Sequence, residues 1–120
     1  MGEIRSYKDL EVWKLAVEQC VKIYKTTKCF PKDELYGLVS QMRRSSVSVP
    51  ANIAEGYSRR HDKEKLHFLS NSLSSNAELE THLIIADKLG YIEKNEFPNF
   101  LEINDHVGRA LTNFYRSFET

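Results

Sequence analysis

The side chains best suited to chemistry are basic, and they lie together in the middle of the chain. Arginine can bind two oxygens of one phosphate through its planar guanidinium group, so arginine clusters are typical of nucleic-acid surfaces. Residues 43–67 carry six Arg or Lys against three acids, whereas residues 68–120 carry four against eight. The sequence therefore predicts a nucleic-acid-binding surface formed by Arg43, Arg44, Arg59, Arg60, Lys63 and Lys65.

The same basic cluster has a second interpretation, as a solvated face or a set of subunit contacts. Arg43 and Arg44 precede Arg59 by about four helical turns, so they need not form one patch in a single copy. Tyr57 also has two roles open to it, since it could stack on a base or pack against Tyr91.

Two pairs of glutamate and histidine residues are candidates for a metal site. Glu78 and His82 are four residues apart, and Glu102 and His106 repeat this spacing. A di-metal carboxylate bundle uses Glu and His three residues apart, so the spacing is one residue too long. The sequence has no glycine-rich phosphate loop and no metal-type cysteine spacing. We therefore expect a protein that is not an enzyme and that uses no metal or other cofactor.

Glu55, and Glu78 or Glu80, are predicted to form ion pairs with arginines of the same subunit or of a neighbouring subunit. A desolvated ion pair fixes the register of the helices that it joins. Two short motifs contain them, one centred on Pro50 and one beginning at Ser70. The predicted structural and interface positions are Pro50, Asn52, Glu55, Gly56, Glu78 and Glu80.

Apolar residues recur at alternating spacings of three and four along the chain, and no strand pattern is visible. The pattern predicts one all-α domain, residues 1–120, in an antiparallel up-down-up-down four-helix bundle. The four helices are expected from Tyr7 or Asp9 to Thr26, after an Asp33 cap to Gly56, after an Asp62 cap to Gly90, and from Asn95 to Phe118. The core stripe of the first helix is expected to be Leu10, Trp13, Val17, Cys20 and Tyr24, widened by Ala16 and Val21. The stripe of the second helix is expected to include Met42, Ser46, Val49, Ile53 and Gly56, and the first stripe of the third helix to include Leu69, Leu73 and Ile84.

The second helix is expected to kink at Pro50, because proline removes a backbone hydrogen bond and crowds the carbonyl of Ser46. Asn52 is the expected partner for the freed backbone groups. Small residues in this helix would let a neighbour approach closely. We expect them to form the subunit interface together with a second apolar stripe on the third helix, namely Leu79, Leu83 and Ala86.

The sequence favours a cytoplasmic protein that does not enter the membrane. The N-terminus is charged and lacks an apolar signal region. No apolar run approaches the ~20 residues that span a bilayer, and two cysteines do not form a disulfide framework.

Two strings resemble a known family. RRSSVSVPANIAEGYSR, residues 43–59, and SNSLSSNAELETHLIIADKLGYI, residues 70–92, are similar to the small bacterial proteins encoded within intervening sequences of 23S rRNA genes. The resemblance extends from Tyr7 to Phe118. It implies a left-handed four-helix bundle, a homopentamer and no established enzymatic activity. It also implies distant kinship with the accessory variability determinant of diversity-generating retroelements, which binds nucleic acid and a reverse transcriptase.

These observations support two hypotheses above a third. The first is an oligomeric scaffold or adaptor whose basic surface contacts RNA, DNA or a nucleic-acid enzyme such as a reverse transcriptase. The alternative is a protein–protein assembly module with no nucleic-acid contact. The third, least supported, is a di-metal carboxylate bundle enzyme.

Overall fold

The computed structural model describes residues 3–120, and this part of the chain is all-α with no strand. Its four long helices are α1 (Glu11–Thr27), α2 (Ser40–Tyr57), α3 (Asp62–Lys88) and α4 (Phe97–Arg116). Consecutive helices pack against each other, and α4 packs back on α1. The expected all-α four-helix bundle is confirmed. No helix in the described part of the chain is long and apolar enough to cross a membrane.

The end of α3 shows how local sequence stops a helix. Gly90 has a φ of 79°, a left-handed conformation that glycine adopts without a steric penalty. The N–H of Gly90 donates to the carbonyl of Asp87, and that of Tyr91 donates to the carbonyl of Ala86, each at 2.9 Å. These two bonds satisfy carbonyls at the helix end, and the predicted stop at Gly90 is confirmed.

Helix starts were predicted less well. Asp62 is the first residue of α3, with His61 as the cap, and α4 begins at Phe97 with Pro98 in its first turn. Asp33 lies in a short 3-10 turn, Lys32–Glu34, so it does not cap the second helix.

The second helix is shorter than expected because an irregular turn precedes it. Residues Leu35–Val39 form a π-helical turn in which Gly37 has φ −112° and ψ −110°. The Glu34 side chain accepts a hydrogen bond from the N–H of Leu38 at 3.3 Å, and the Tyr91 hydroxyl donates to Glu34 at 2.9 Å. Glu34 thus joins this turn to the chain that follows α3.

Pro50 lies inside α2, which continues through it to Tyr57. Pro50 is buried, and a kink at this residue stays a prediction. The side-chain amide of Asn52 donates to the carbonyl of Ser48 at 2.9 Å. Pro50 has no N–H to donate to the carbonyl of Ser46, and Asn52 does not replace that donor. The expectation that Asn52 bonds a backbone group freed by Pro50 is therefore wrong.

The core consists of two apolar clusters at opposite ends of the bundle. One joins the end of α1 to the start of α2, the end of α3 and the start of α4, through residues such as Ile23, Met42, Leu83 and Phe100. The other joins the opposite helix ends, and its members are Leu10, Val12, Ala16, Val49, Ile53, Leu69, Val107 and Leu111. This pairing of ends is the one that an up-down-up-down order requires. The order itself and the left-handed twist stay predictions.

A buried polar layer lies between the two clusters. Gln19 of α1, Asn76 of α3 and Asn104 of α4 are each at most 5% exposed. The amide of Gln19 donates to Asn76 at 3.0 Å, and that of Asn104 donates to Gln19 at 3.1 Å. The Asn76 amide donates to the backbone carbonyl of Asn104 at 3.0 Å. These three residues, called the carboxamide layer below, link three helices through groups that need partners when buried.

The carboxamide layer explains why the expected core face of α1 was only partly correct. Leu10 and Ala16 are buried as expected, and Trp13 packs against the same cluster. The buried residues of α1 are Val12, Ala16, Gln19, Ile23 and Thr27. Tyr24 and Val21 were expected inside or beside the core, yet they are 38% and 46% exposed. A prediction from hydrophobicity alone places the polar residues Gln19 and Thr27 on the solvent side of α1. It therefore selects the neighbouring stripe, which contains Tyr24, as the core face. Their hydrogen-bond partners on other parts of the chain make their burial favourable.

The apolar stripe of α3 was also misassigned. Leu79, Leu83 and Ala86, expected at a subunit interface, are fully buried in the core of a single copy. Ile84, expected in the core, is 38% exposed. The core stripe of α3 instead continues through Asn76 and Ser72, whose hydroxyl donates to the carbonyl of Val49 at 2.7 Å.

Asn104→Ala tests the carboxamide layer. We expect a loss of about 2–3 kcal/mol in the free energy of unfolding, because Gln19 and Asn76 would keep buried polar atoms without their partner. Urea unfolding followed by circular dichroism, at one protein concentration, measures this loss. The matched control is Asn113→Ala, an exposed asparagine on the same helix, which should change stability by less than about 0.5 kcal/mol. Equal effects of both variants would contradict a structural role for the layer.

Candidate nucleic-acid interface and neighbouring surfaces

The connection between α2 and α3 presents one of the two predicted groups of cations. A Cβ on Gly56 would lie 3.2 Å from the Lys65 carbonyl and from the Phe68 Cβ, so glycine lets the start of α3 approach α2 closely. Beside this contact is a shallow depression floored by Phe68. The turn surface, as we call it, consists of Arg59, Arg60, His61, Lys63, Glu64, His67 and Phe68.

Two of the predicted phosphate-binding residues at this turn are engaged by the chain itself. Arg59 forms an ion pair with Glu55 at 3.0 Å, and its guanidinium lies 4.6 Å from the Phe68 ring centroid. The Lys65 ammonium donates to the carbonyls of Tyr57, at 2.9 Å, and of Arg59. Because cations near a helix C-terminus satisfy its last carbonyls, Lys65 serves chiefly to hold the end of α2. The predicted arginine partner of Glu55 is confirmed within the chain.

The other cations of the turn surface face solvent. Arg60 and Lys63 are exposed, as are His61 and His67. Asp62 and Glu64 lie among them and reduce the net positive charge. Tyr57 packs against the cluster that contains Leu69, whereas Tyr91 packs against the opposite cluster. Of the two roles left open for Tyr57, packing against Tyr91 is therefore wrong.

Arg43 and Arg44 form a separate group. They precede Arg59 by 16 and 15 residues of the same chain, about 24 Å along a helix. Arg43 donates to the Thr27 hydroxyl at 3.0 Å, and its guanidinium lies 4.7 Å from the Tyr24 ring centroid. Arg43 thus fastens α2 to the end of α1, while Arg44 is exposed on the outer side of α2.

A groove between α1 and α2 was missed by the sequence analysis. It is lined by apolar side chains and by Arg43 and Arg44. Tyr36 is 93% exposed and Leu35 is 47% exposed. The α1–α2 groove consists of Tyr24, Leu35, Tyr36, Val39, Ser40, Arg43, Arg44 and Val47. The sequence contains one signal for this groove: the segment around Tyr36 has more apolar residues than a single stripe of the helix can bury.

The predicted acids are dispersed. Glu78 lies 3.6 Å from His82, and Glu80 is exposed at the edge of a groove between α3 and α4. In residues 3–120 no three His, Cys, Asp or Glu side chains are grouped in a way that could hold a metal ion.

His82 is a buried titratable group, 6% exposed. Its Nδ1 lies 3.3 Å from the Ser45 hydroxyl, and its Nε2 faces the half-exposed carboxylate of Glu78. Burial lowers the pKa of His82 below the usual value of 6.5, and the Glu78 carboxylate opposes this shift. The neutral ring therefore predominates in the fold at neutral pH, joining α3 to α2 through Ser45.

The protein is thus a small all-α bundle, and its candidate functional regions are two surfaces, the turn surface and the α1–α2 groove. The model of the 23S rRNA-intervening sequence protein family matches residues 8–113, so the chain belongs to that family. No curated protein matches the chain.

The chain is also similar to a solved structure. A protein with unknown function from the S23 ribosomal protein family of Bacteroides thetaiotaomicron VPI-5482 matches with a TM-score of 0.81. The match covers 88% of this chain and 95% of the other at 20% sequence identity. At this identity the likeness establishes the fold alone.

His82 makes stability depend on pH. Because its pKa is lower in the fold than the usual 6.5, the unfolded chain binds the proton more readily. Stability should therefore be retained above pH 6.5 and fall as the pH decreases below it. His82→Gln should flatten this part of the pH profile in thermal unfolding, whereas His106→Gln, at an exposed position of α4, should leave it unchanged. A wild-type profile that stays flat below pH 6.5 would refute this assignment.

Proposed function

We propose that the protein is a non-enzymatic scaffold that assembles with copies of itself and presents its surfaces to other macromolecules. The observation that carries the proposal is the α1–α2 groove. Tyr36, Leu35 and Val47 are 93%, 47% and 43% exposed and line one concave surface. Contiguous apolar surface of this kind marks sites of protein association.

The composition of the groove fits an interface better than a substrate site. Tyrosine and arginine are enriched among residues that dominate binding energy, and the groove contains two of each. Arg43 is already held against Tyr24 and Thr27, so part of the surface is ordered before any partner binds. Ordering in advance reduces the entropic cost of association. The pentamer that the family resemblance implies would be one such assembly.

A second function, contact with nucleic acid, is favoured by the turn surface. Exposed Lys63 lines the same depression as Phe68, the Arg59 guanidinium lies over the Phe68 ring, and exposed Arg60 follows Arg59 in the chain. Cations beside an aromatic ring suit a single strand. The names of the family and of its solved relative refer to 23S rRNA and to a ribosomal protein family, which supports RNA as the first ligand to test. The acids Asp62 and Glu64 would limit this affinity.

Self-assembly predicts a solution mass above that of one 13.9 kDa chain. Tyr36→Ser with Leu35→Ser should lower that mass, because both side chains are exposed and their removal takes apolar area from the groove without disturbing the core. Light scattering over a dilution series measures the mass, and circular dichroism checks the helices. The control is Ile4→Ser, an exposed apolar residue outside the bundle helices. A wild-type monomer at every concentration would overturn the proposal.

Nucleic-acid contact predicts binding that weakens as salt increases, because phosphate contacts release counterions. Mobility shifts with structured RNA, single strands and duplex DNA at low and physiological salt measure it. Arg60→Glu with Lys63→Glu should weaken binding about tenfold or more. Lys28→Glu with Lys32→Glu, at exposed positions just after α1, is the matched control. Absence of binding to all three ligands at low salt would remove this second function.

A further inference from the structure

A groove between α3 and α4 is used by neither of the proposed functions. The α3–α4 groove, as we call it, is bordered by residues 73–80 of α3 and 104–116 of α4. Its least exposed residues are Asn76 and Asn104, which belong to the carboxamide layer and are 5% and 3% exposed. The groove therefore reaches from solvent to the polar centre of the bundle.

One donor hydrogen of Asn76 is left for an acceptor that enters this groove. The side-chain nitrogen Nδ2 carries two hydrogens. Within residues 3–120 its one acceptor is the backbone carbonyl of Asn104, at 3.0 Å. A buried donor without an acceptor is unfavourable, so the second hydrogen of this amide suits a carbonyl or carboxylate oxygen from outside.

Gly108 keeps the space beside this amide open. A Cβ at position 108 would lie 3.3 Å from Asn76 Nδ2, closer than an ordinary van der Waals contact. Glycine is the poorest helix former after proline, yet Gly108 lies in the middle of α4 and lines the groove. The local sequence thus favours access to the amide over helix stability.

The groove has opposite charges at its two ends. Along α4 it begins at Asn104 and ends at Arg116, about 18 Å further along the helix. Glu80 lies at the Asn104 end, because its neighbour Leu79 packs in one apolar cluster with Phe100 of α4. One end of the groove is therefore acidic and the other is basic.

These two terminal charges are available to a partner. Neither Glu80 nor Arg116 forms an ion pair within residues 3–120. Asp105 and Arg109, which also line the groove, pair with each other at 3.0 Å. The groove can therefore attract one acidic and one basic group at the same time.

An extended peptide matches this arrangement better than a helix or a nucleic acid. A helix already uses its carbonyls in its own hydrogen bonds, whereas an extended chain has carbonyls free to accept from Asn76. Carboxylates in the groove repel phosphates. At about 3.3 Å per residue, roughly six extended residues cover the length of the groove.

We propose that the α3–α4 groove binds an extended segment of another protein. A backbone carbonyl of the segment accepts the second hydrogen of Asn76, a basic side chain meets Glu80 and an acidic side chain meets Arg116. This inference rests on the proposed presentation of surfaces to other macromolecules, and it names the partner chemistry of one surface. It does not depend on self-assembly or on nucleic-acid contact.

Four hexapeptides with acetylated and amidated ends test the charges. All have alanine and serine in the middle, and their end residues are one glutamate and one lysine, two glutamates, two lysines or two serines. The mixed peptide matches both ends of the groove in one of its two directions, so it should bind at least about threefold more tightly than the others. NMR titration of the isotope-labelled protein measures binding, and the side-chain amide resonances of Asn76 should shift.

Charge reversal in the groove should change which peptide binds best. Glu80→Lys should prefer the peptide with two glutamates and Arg116→Glu the peptide with two lysines, because each variant has one sign of charge at both ends. Both residues are exposed, so circular dichroism should show unchanged helices. The matched controls are Glu102→Lys and Lys25→Glu, at exposed positions outside the groove, and they should keep the preference of the wild type.

The changed preferences, together with shifts at Asn76, support the peptide site. If no peptide shifts the Asn76 amide at millimolar concentration, or if both groove variants keep the wild-type preference, the inference is overturned. Light scattering and RNA mobility shifts on the same samples then still test the proposed function, so the two failures are distinguishable. If RNA shifts the Asn76 amide and the peptides do not, the groove is a nucleic-acid surface and the peptide site is wrong.

Discussion

The structure depends on the requirement that buried carboxamides be hydrogen-bonded. Gln19, Asn76 and Asn104 lie in the middle of the bundle, between two apolar clusters that any hydrophobic residues of suitable size could form. Apolar packing tolerates a helix that slides or rotates, whereas an amide moved by one residue loses its partners and leaves polar atoms buried and unsatisfied. We infer that this layer fixes the register and rotation of α1, α3 and α4 relative to one another.

The rotation fixed by the carboxamide layer determines which apolar residues remain outside. With Gln19 and Thr27 inside, Val21 and Tyr24 of α1 turn toward solvent. With Asn76 and Ser72 inside, Ile84 and Ile85 of α3 do the same. These exposed apolar stripes, of which Tyr24 lines the α1–α2 groove, are thus a consequence of polar burial in the core. A bundle with only apolar residues inside could bury these stripes and would present fewer contacts to another copy.

The motif from Arg43 to Arg60 has a structural role that its sequence only partly revealed. Its small residues allow close helix contacts: Gly56 lies against the start of α3, and the Ser48 hydroxyl is 2.8 Å from that of Ser75. Two of its four cations bind the chain itself, Arg43 at the end of α1 and Arg59 at Glu55. What remains for a partner is a smaller set of exposed cations, which is why self-assembly ranks above nucleic-acid contact here.

The sequence alone determined the helix content, the four-helix class and the family. It also located the helix stop at Gly90 and most of the inward face of α2, since Met42, Val49 and Ile53 follow one periodic stripe. These features depend on interactions between residues near each other in the chain, or on motifs that can be read directly. Only the tertiary structure decided the rotation of α1 and α3, the groove beside Tyr36 and the engagement of Arg43 and Lys65. The physical reason is that a polar side chain is buried or exposed according to the partners it finds on other helices, and hydrophobic periodicity within one helix contains no information about those partners.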